Sequence, residues 1–111
     1  METIALTEAV YYILLSLDKP LHGYGIMQNA ESLSHGRVRL AAGTLYGALN
    51  TLLERGWIET AGQEASARKK EYVITPLGRA IVLKELERLH ELTRNGDLLT
   101  GGWKHDPQDD K

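Results

Sequence analysis

The stretch Ala42-Gly43-Thr44-Leu45-Tyr46-Gly47-Ala48-Leu49-Asn50-Thr51-Leu52-Leu53-Glu54-Arg55-Gly56 decides how the rest of the chain is read. Leu45, Leu49, Leu52 and Leu53 recur at the spacing of one apolar stripe on a helix. Gly56 follows Arg55 where a left-handed cap would end that helix. With the leucines inward, Gly43, Thr44, Gly47, Asn50 and Thr51 share the outer side, and Tyr46 lies on its flank. That face is small, polar and uncharged. A helix face that only met water would carry Lys and Glu, so this one suits close approach by a partner.

Toward the N-terminus, Leu6, Ala9, Val10, Ile13, Leu14 and Leu17 predict a helix over residues 4–17, with a second ridge from Tyr11 and Tyr12. Pro20 stops it. The arc is wide enough to face the chain's own core and a partner subunit. His22-Gly23-Tyr24-Gly25 opens a second short helix, with Tyr24, Met27, Ala30 and Leu33 expected inward and an end near Ser34-His35-Gly36. Arg37-Val38-Arg39-Leu40 alternates polar and apolar, as a short edge strand or an extended connector would. Two short helices joined by a brief connector make a helix-turn-helix.

Toward the C-terminus, Trp57-Ile58-Glu59-Thr60 and Glu71-Tyr72-Val73-Ile74 predict a β-hairpin. Its long tip, residues 61–70, ends in Arg68-Lys69-Lys70. Thr75-Pro76 is a helix cap followed by proline at the first helical position. The helix it opens is expected over residues 76–93, carries Leu77, Ile81, Val82, Leu83, Leu86, Leu89 and Leu92, and is expected to stop at Asn95-Gly96. Residues 97–111 are expected to be a flexible acidic tail.

A chain of 111 residues supports one core. Its expected parts are a winged helix-turn-helix over 1–75, a dimerisation helix over 76–94 and a tail over 95–111. The fold class is mainly α with a small β-hairpin. The net charge of -2 hides a division: residues 1–31 sum to -3, residues 32–79 to +3, and residues 97–111 to -2. The positive block surrounds the decisive helix, and a local basic face matters more to phosphate than the total. With no cysteine, neither disulfides nor thiolate metal sites can form. The acidic N-terminus (Glu2, Glu8) lacks the pattern of a signal peptide, and no apolar run reaches the ~18–20 residues of a membrane span, so a cytoplasmic location is expected.

Three motifs in order and spacing resemble the PadR family of transcriptional regulators, in the short branch with a single C-terminal helix. They are Leu21-His22-Gly23-Tyr24-Gly25-Ile26, then Gly43-Thr44-Leu45-Tyr46 with Leu49, Leu52 and Gly56, then Arg68-Lys69-Lys70-Glu71-Tyr72 before Thr75-Pro76-Leu77-Gly78-Arg79. The resemblance covers roughly residues 4–93. It implies a homodimer bound to operator DNA, usually as a repressor, with helix 42–55 in the major groove, the tip 61–70 as the wing and helix 76–93 dimerising. Ala42 and Gly47 stand where many members have proline, and Asn50 and Thr51 where many have basic residues.

On this reading Arg37, Arg39, Arg68, Lys69 and Lys70 neutralise phosphates. Gly43, Gly47 and Ala48 let the helix sit deep in the groove. Asn50 pairs with an adenine edge, Thr44 and Thr51 meet bases or a thymine methyl, and Tyr46 touches a phosphate at the rim. Tyr11, Ile81, Val82, Leu86 and Leu89 are the expected dimerisation residues. The bland alternatives are a tyrosine packed on the wing, a solvated hairpin tip, arginines that guard a sheet edge, a C-terminal helix packed within one subunit, and a structural or capping His22. Trp57 is expected beneath the hairpin.

No catalytic, metal or cofactor site is expected. His22, His35, His90 and His105 lack ligand spacing, and Gln28 replaces the third glycine that Gly23-Tyr24-Gly25 would need to cradle a dinucleotide. The rival reading from another class is a winged-helix protein-interaction module without DNA binding. A small-molecule effector at the dimer interface is compatible with the first reading, with Tyr11, Tyr12 and Met27 as lining residues unless core packing accounts for them.

Overall fold

The computed structural model describes residues 5–62 and 70–103. The chain runs α1 (Glu8–Ser16), β1 (Leu21–His22), α2 (Gly23–Leu33), α3 (Ala42–Glu54), β2 (Ile58–Ala61), β3 (Glu71–Ile74) and α4 (Pro76–Leu99). The strands form one antiparallel sheet in the order β1-β3-β2. This is the mainly helical winged fold that the sequence predicts.

α1 starts later than the apolar pattern suggests. Thr7 caps it, its side chain accepting the Val10 N–H at 3.1 Å, so Leu6 packs on the core from an extended lead-in. Ile13, Leu14 and Leu17 are fully buried, and the Leu17 carbonyl accepts the Ile74 N–H at 2.9 Å. That bond ties the end of α1 to β3. In α2, His22 is the cap: its Nδ1 accepts the Gly25 N–H at 3.3 Å. Ile26 and Ala30 face the core. Tyr24 does not; it is 62% exposed, because it lies about 200° around the helix from Ile26. Leu33, also expected inward, sits in the last turn beyond the edge of the core and is exposed.

His35 and Gly36 are both left-handed (φ 54 and 86), which turns the chain out of α2. The buried Ser34 hydroxyl donates to the Glu31 carbonyl and accepts the Val38 N–H at 2.8 Å. Residues 37–40 therefore form the extended connector and not a strand. The sheet's third strand is Leu21–His22, with Leu21 opposite Tyr72 and His22 opposite Glu71.

Leu45, Leu49 and Leu52 of α3 complete the core with Trp57, Ile58, Tyr72, Ile74 and Val82. Each fully buried leucine contributes about 1.5–3 kcal/mol. Gly56 (φ 76) makes the turn from α3 into β2. The Thr75 hydroxyl accepts the Gly78 N–H at 3.0 Å and donates to the Gly56 carbonyl at 2.6 Å, joining the start of α4 to the end of α3.

α4 runs through Asn95-Gly96 to Leu99. The expected stop at that pair is wrong, because Gly96 keeps a negative φ and the Thr100 N–H bonds its carbonyl at 2.9 Å. A helical glycine costs only about 1 kcal/mol, which the long apolar pattern of this helix tolerates. Asp97–Leu99, assigned to the tail, is thus helical, and residues 104–111 lie outside the described residues.

Candidate nucleic-acid interface

The outer face of α3 is as bare as its sequence implies. Gly43, Thr44, Gly47, Asn50 and Thr51 are all exposed, while Ala48 is half-buried. A methyl group placed on Gly43 or Gly47 would meet nothing within 4 Å, so packing inside the protein gives no reason for glycine at either position. Ala41 offers no side-chain cap, which leaves the first turn of the helix unblocked. The Thr51 hydroxyl donates to the Gly47 carbonyl at 3.3 Å. Asn50 is the remaining polar side chain with an amide able to read two atoms of a base edge.

Tyr46, expected to touch a phosphate at the rim, also has a contact inside the fold. It is 39% exposed, and its hydroxyl lies against the backbone of Gly23 at the start of α2.

The cations divide. Arg37, expected to meet phosphate, closes a fork around Glu8, with its Nε 3.0 and 3.1 Å from the two carboxylate oxygens. That pairing holds the Glu8 carboxyl below its ordinary range and raises the guanidinium, in each case chiefly through the hydrogen bonds between them. The side chain staples the connector to the first turn of α1. Arg39 is exposed and only loosely paired, 3.9 Å from Glu31. Lys70 is exposed at the start of β3, whereas Arg68 and Lys69 lie outside the described residues. The sequence held no sign of the Glu8–Arg37 pair, whose members are 29 residues apart.

α4 carries the other surprise. Glu85 is 3% exposed, accepting the Leu6 N–H at 3.2 Å and a two-pronged bond from Arg88 at 2.7 Å on each arm. Arg88 and the Leu6 N–H hold its carboxyl below the ordinary value, although burial pulls the other way. Its position three residues after Val82, on the core-facing side, was the available signal. Of the expected dimerisation residues, Val82 belongs to the subunit's own core. Tyr11 and Ile81 pack against the same core, and Leu86 and Leu89 are half-buried. Leu77, Leu83, Leu92, Leu98 and Leu99 are the exposed leucines of the helix.

Tyr11 and Tyr12 line a cleft of about 280 Å³ between α1 and α4, with Leu6, Glu85, Arg88 and Leu89. Met27 lines a separate groove beside Arg39 and Leu40, so the three residues do not converge on one site. Among the described residues no cluster of His, Asp or Glu could hold a metal ion, and no helix is long and apolar enough to cross a membrane.

A short helix with a bare polar face, braced by a second helix and flanked by a hairpin, is the helix-turn-helix of a winged regulator. Comparison with known proteins agrees. The profile of the transcriptional regulator PadR-like family matches residues 12–85, and the chain belongs to that family. A transcriptional regulator from Clostridium thermocellum is similar at 25% identity and TM-score 0.65, over 86% of this chain and 92% of its own. A PadR family transcriptional regulator from Eggerthella lenta is similar at 26% identity and TM-score 0.65, over 81% and 80%. BpsR of Bordetella bronchiseptica, whose DNA binding is regulated by 6-hydroxynicotinic acid, shares the fold at 22% identity and TM-score 0.65, over 96% and 74%. No curated protein matches the chain significantly.

Proposed function

We propose that this transcriptional regulator is a non-enzymatic, sequence-specific DNA-binding repressor of the cytoplasm, acting as a homodimer on a palindromic operator. The observation that carries the reading is the outer face of α3, where two glycines with open space above them stand beside Thr44, Asn50 and Thr51. An uncharged face of small residues lets a helix backbone approach base edges closely. Arg39, Lys70 and the rest of the wing supply charge for the phosphates, and Arg37 is withdrawn from that set by Glu8. Two copies of α3 related by a two-fold axis would meet half-sites about one DNA turn, ~10 bp, apart.

Selection from a random DNA pool tests the reading, with enrichment of a sequence of dyad symmetry as the expected result. Asn50→Ala should then relax specificity at one base position by ~1–3 kcal/mol, and uniform weakening across sequences would make Asn50 a backbone contact. The near-neutral face of α3 also favours a second reading, a protein-interaction module. A protein that passes through a DNA column without salt-sensitive retention would support it. An effector in the Tyr11–Tyr12 cleft is compatible with either reading, and BpsR offers a precedent at the level of the fold. A small molecule that releases DNA should lose its effect in Tyr11→Ala.

A further inference from the structure

We infer that Tyr46 is the positioning residue of the reading helix, acting by seating its ring on Gly23, and that it makes no phosphate contact. The inference rests on α3 reading DNA. Gly23 opens α2 and is buried. A methyl group there would overlap the Tyr46 hydroxyl and stand 2.9 Å from its Cζ and 3.4 Å from Leu45 Cδ2. Glycine at 23 is therefore a requirement of this contact, since its backbone conformation is ordinary. Two residues earlier, Leu21 pairs with Tyr72 of β3. Tyr46 is close enough to Tyr72 to add to the upward push that burial gives the Tyr72 phenol. One ring thus touches the start of α2 and borders the wing's central strand from the second turn of α3.

The hydroxyl oxygen of Tyr46 and the ring carbon that bears it are the atoms nearest the methyl position, so the bulk at the tip of the ring does the seating. The angle of α3 to α2 and the wing sets where Thr44, Gly47 and Asn50 fall along a groove. A methyl at 23 presses on the far end of a flexible side chain. It swings the ring out and tilts α3, and the protein still folds.

The experiment compares binding to the selected operator and to a random duplex of equal length. Gly23→Ala should lower the ratio of the two affinities about tenfold, the scale of one lost base-edge pairing, while random-duplex affinity and salt slope hold. Tyr46→Phe should stay within about twofold on both duplexes, since it keeps the ring. Tyr46→Ala should lower the ratio, and adding Gly23→Ala to it should lower it no further. A Gly23→Ala chain that fails to fold leaves the two tyrosine variants to decide the matter. The proposal is overturned if Tyr46→Phe weakens both duplexes alike, or if Tyr46→Ala leaves the ratio unchanged. Melting temperatures without DNA separate the layers. Additive losses from Gly23→Ala and Tyr46→Ala overturn the contact alone, whereas a parent protein that binds neither duplex overturns the DNA reading and this proposal with it.

Discussion

α3 and α4 are both leucine helices, and they use their leucines in opposite ways. In α3, Leu45, Leu49 and Leu52 are wholly enclosed and the outer face holds no large aliphatic side chain. In α4 the buried positions are Gly78, Val82 and the carboxylate Glu85, while Leu98 and Leu99 are 78% and 74% exposed. The reason is length. α3 spans 13 residues and stays over the core, whereas α4 spans 24, about 36 Å, and its second half runs past everything α1 and the sheet can cover. A polar outer face suits a polar partner, and an uncovered apolar one suits another copy of the same helix.

The strongest way to break this contrast is at the anchored end of α4. Gly78 lies so close to Trp57 that a methyl group would overlap the Trp57 carbonyl oxygen and come within 2.7 Å of Ile74 Cγ1. Backbone cannot yield as a side-chain tip can. Gly78→Ala should destabilise the fold by about 3 kcal/mol or more, read as a fall in the urea midpoint. An unchanged midpoint would mean that the start of α4 is not seated against the Trp57 backbone as described.

At the free end, Leu98→Glu with Leu99→Glu should leave the subunit folded, because neither residue touches the core. On the proposed homodimer, sedimentation equilibrium should show association at least about tenfold weaker in the variant than in the parent. A variant that still dimerises would confine the interface to the first half of the helix.

Glu85 tests the buried face by pH. Its folded value lies below the ordinary 4.5, so the carboxylate stabilises the fold fully above about pH 4.5 and loses that contribution as pH falls through the lowered value. Glu85→Gln keeps an acceptor for the Leu6 N–H and removes the charge facing Arg88. The variant should be less stable than the parent at neutral pH, and the two urea midpoints should converge in acid. Glu8 titrates with the same sign, so convergence is the readout and not the parent's curve alone. Parallel curves would show that Glu85 is not held charged.

What was legible in the sequence is what short-range pattern encodes. The stripe of α3, the cap at Thr75 and the hairpin expected at residues 57–60 and 71–74 follow from spacing and residue type, and the structure has them, with the first strand one residue later at Ile58–Ala61. The bare face of α3 was visible because nothing distant has to fold against it. The contact of Tyr46 with Gly23 was not legible, because the two lie 23 residues apart and a glycine announces no contact. The pairing of Arg37 was hidden for the same reason, since a lone arginine in a connector reads as free until Glu8 arrives. The strand Leu21–His22 is too short to show alternation, and it pairs only because β3 offers an open edge. Gly96 misled because a glycine after a long apolar pattern is the ordinary sign of a helix end, and only the continued helical path to Leu99 shows otherwise.

The smallest effects sharpen the comparison most, because one substitution can be made on both helices. Gly47 of α3 and Gly96 of α4 are interior helical glycines, and a methyl on either meets nothing within 4 Å. Alanine should therefore stabilise the subunit by roughly 0.5–1 kcal/mol at each site, through helix propensity alone. The two variants should then part company. On the proposed reading, Gly47→Ala would put a methyl between α3 and the bases and should weaken operator binding several-fold while leaving association of the subunits alone. Gly96→Ala should leave operator binding by a fully formed dimer unchanged. On the proposed dimer through α4, its effect on association would locate the crossing: a loss would place a partner's backbone against residue 96, and no change would place the contact nearer Leu92 or Leu99. If Gly47→Ala binds the operator as well as the parent while gaining stability, the face of α3 is not held close to DNA, and its lack of large side chains needs another cause.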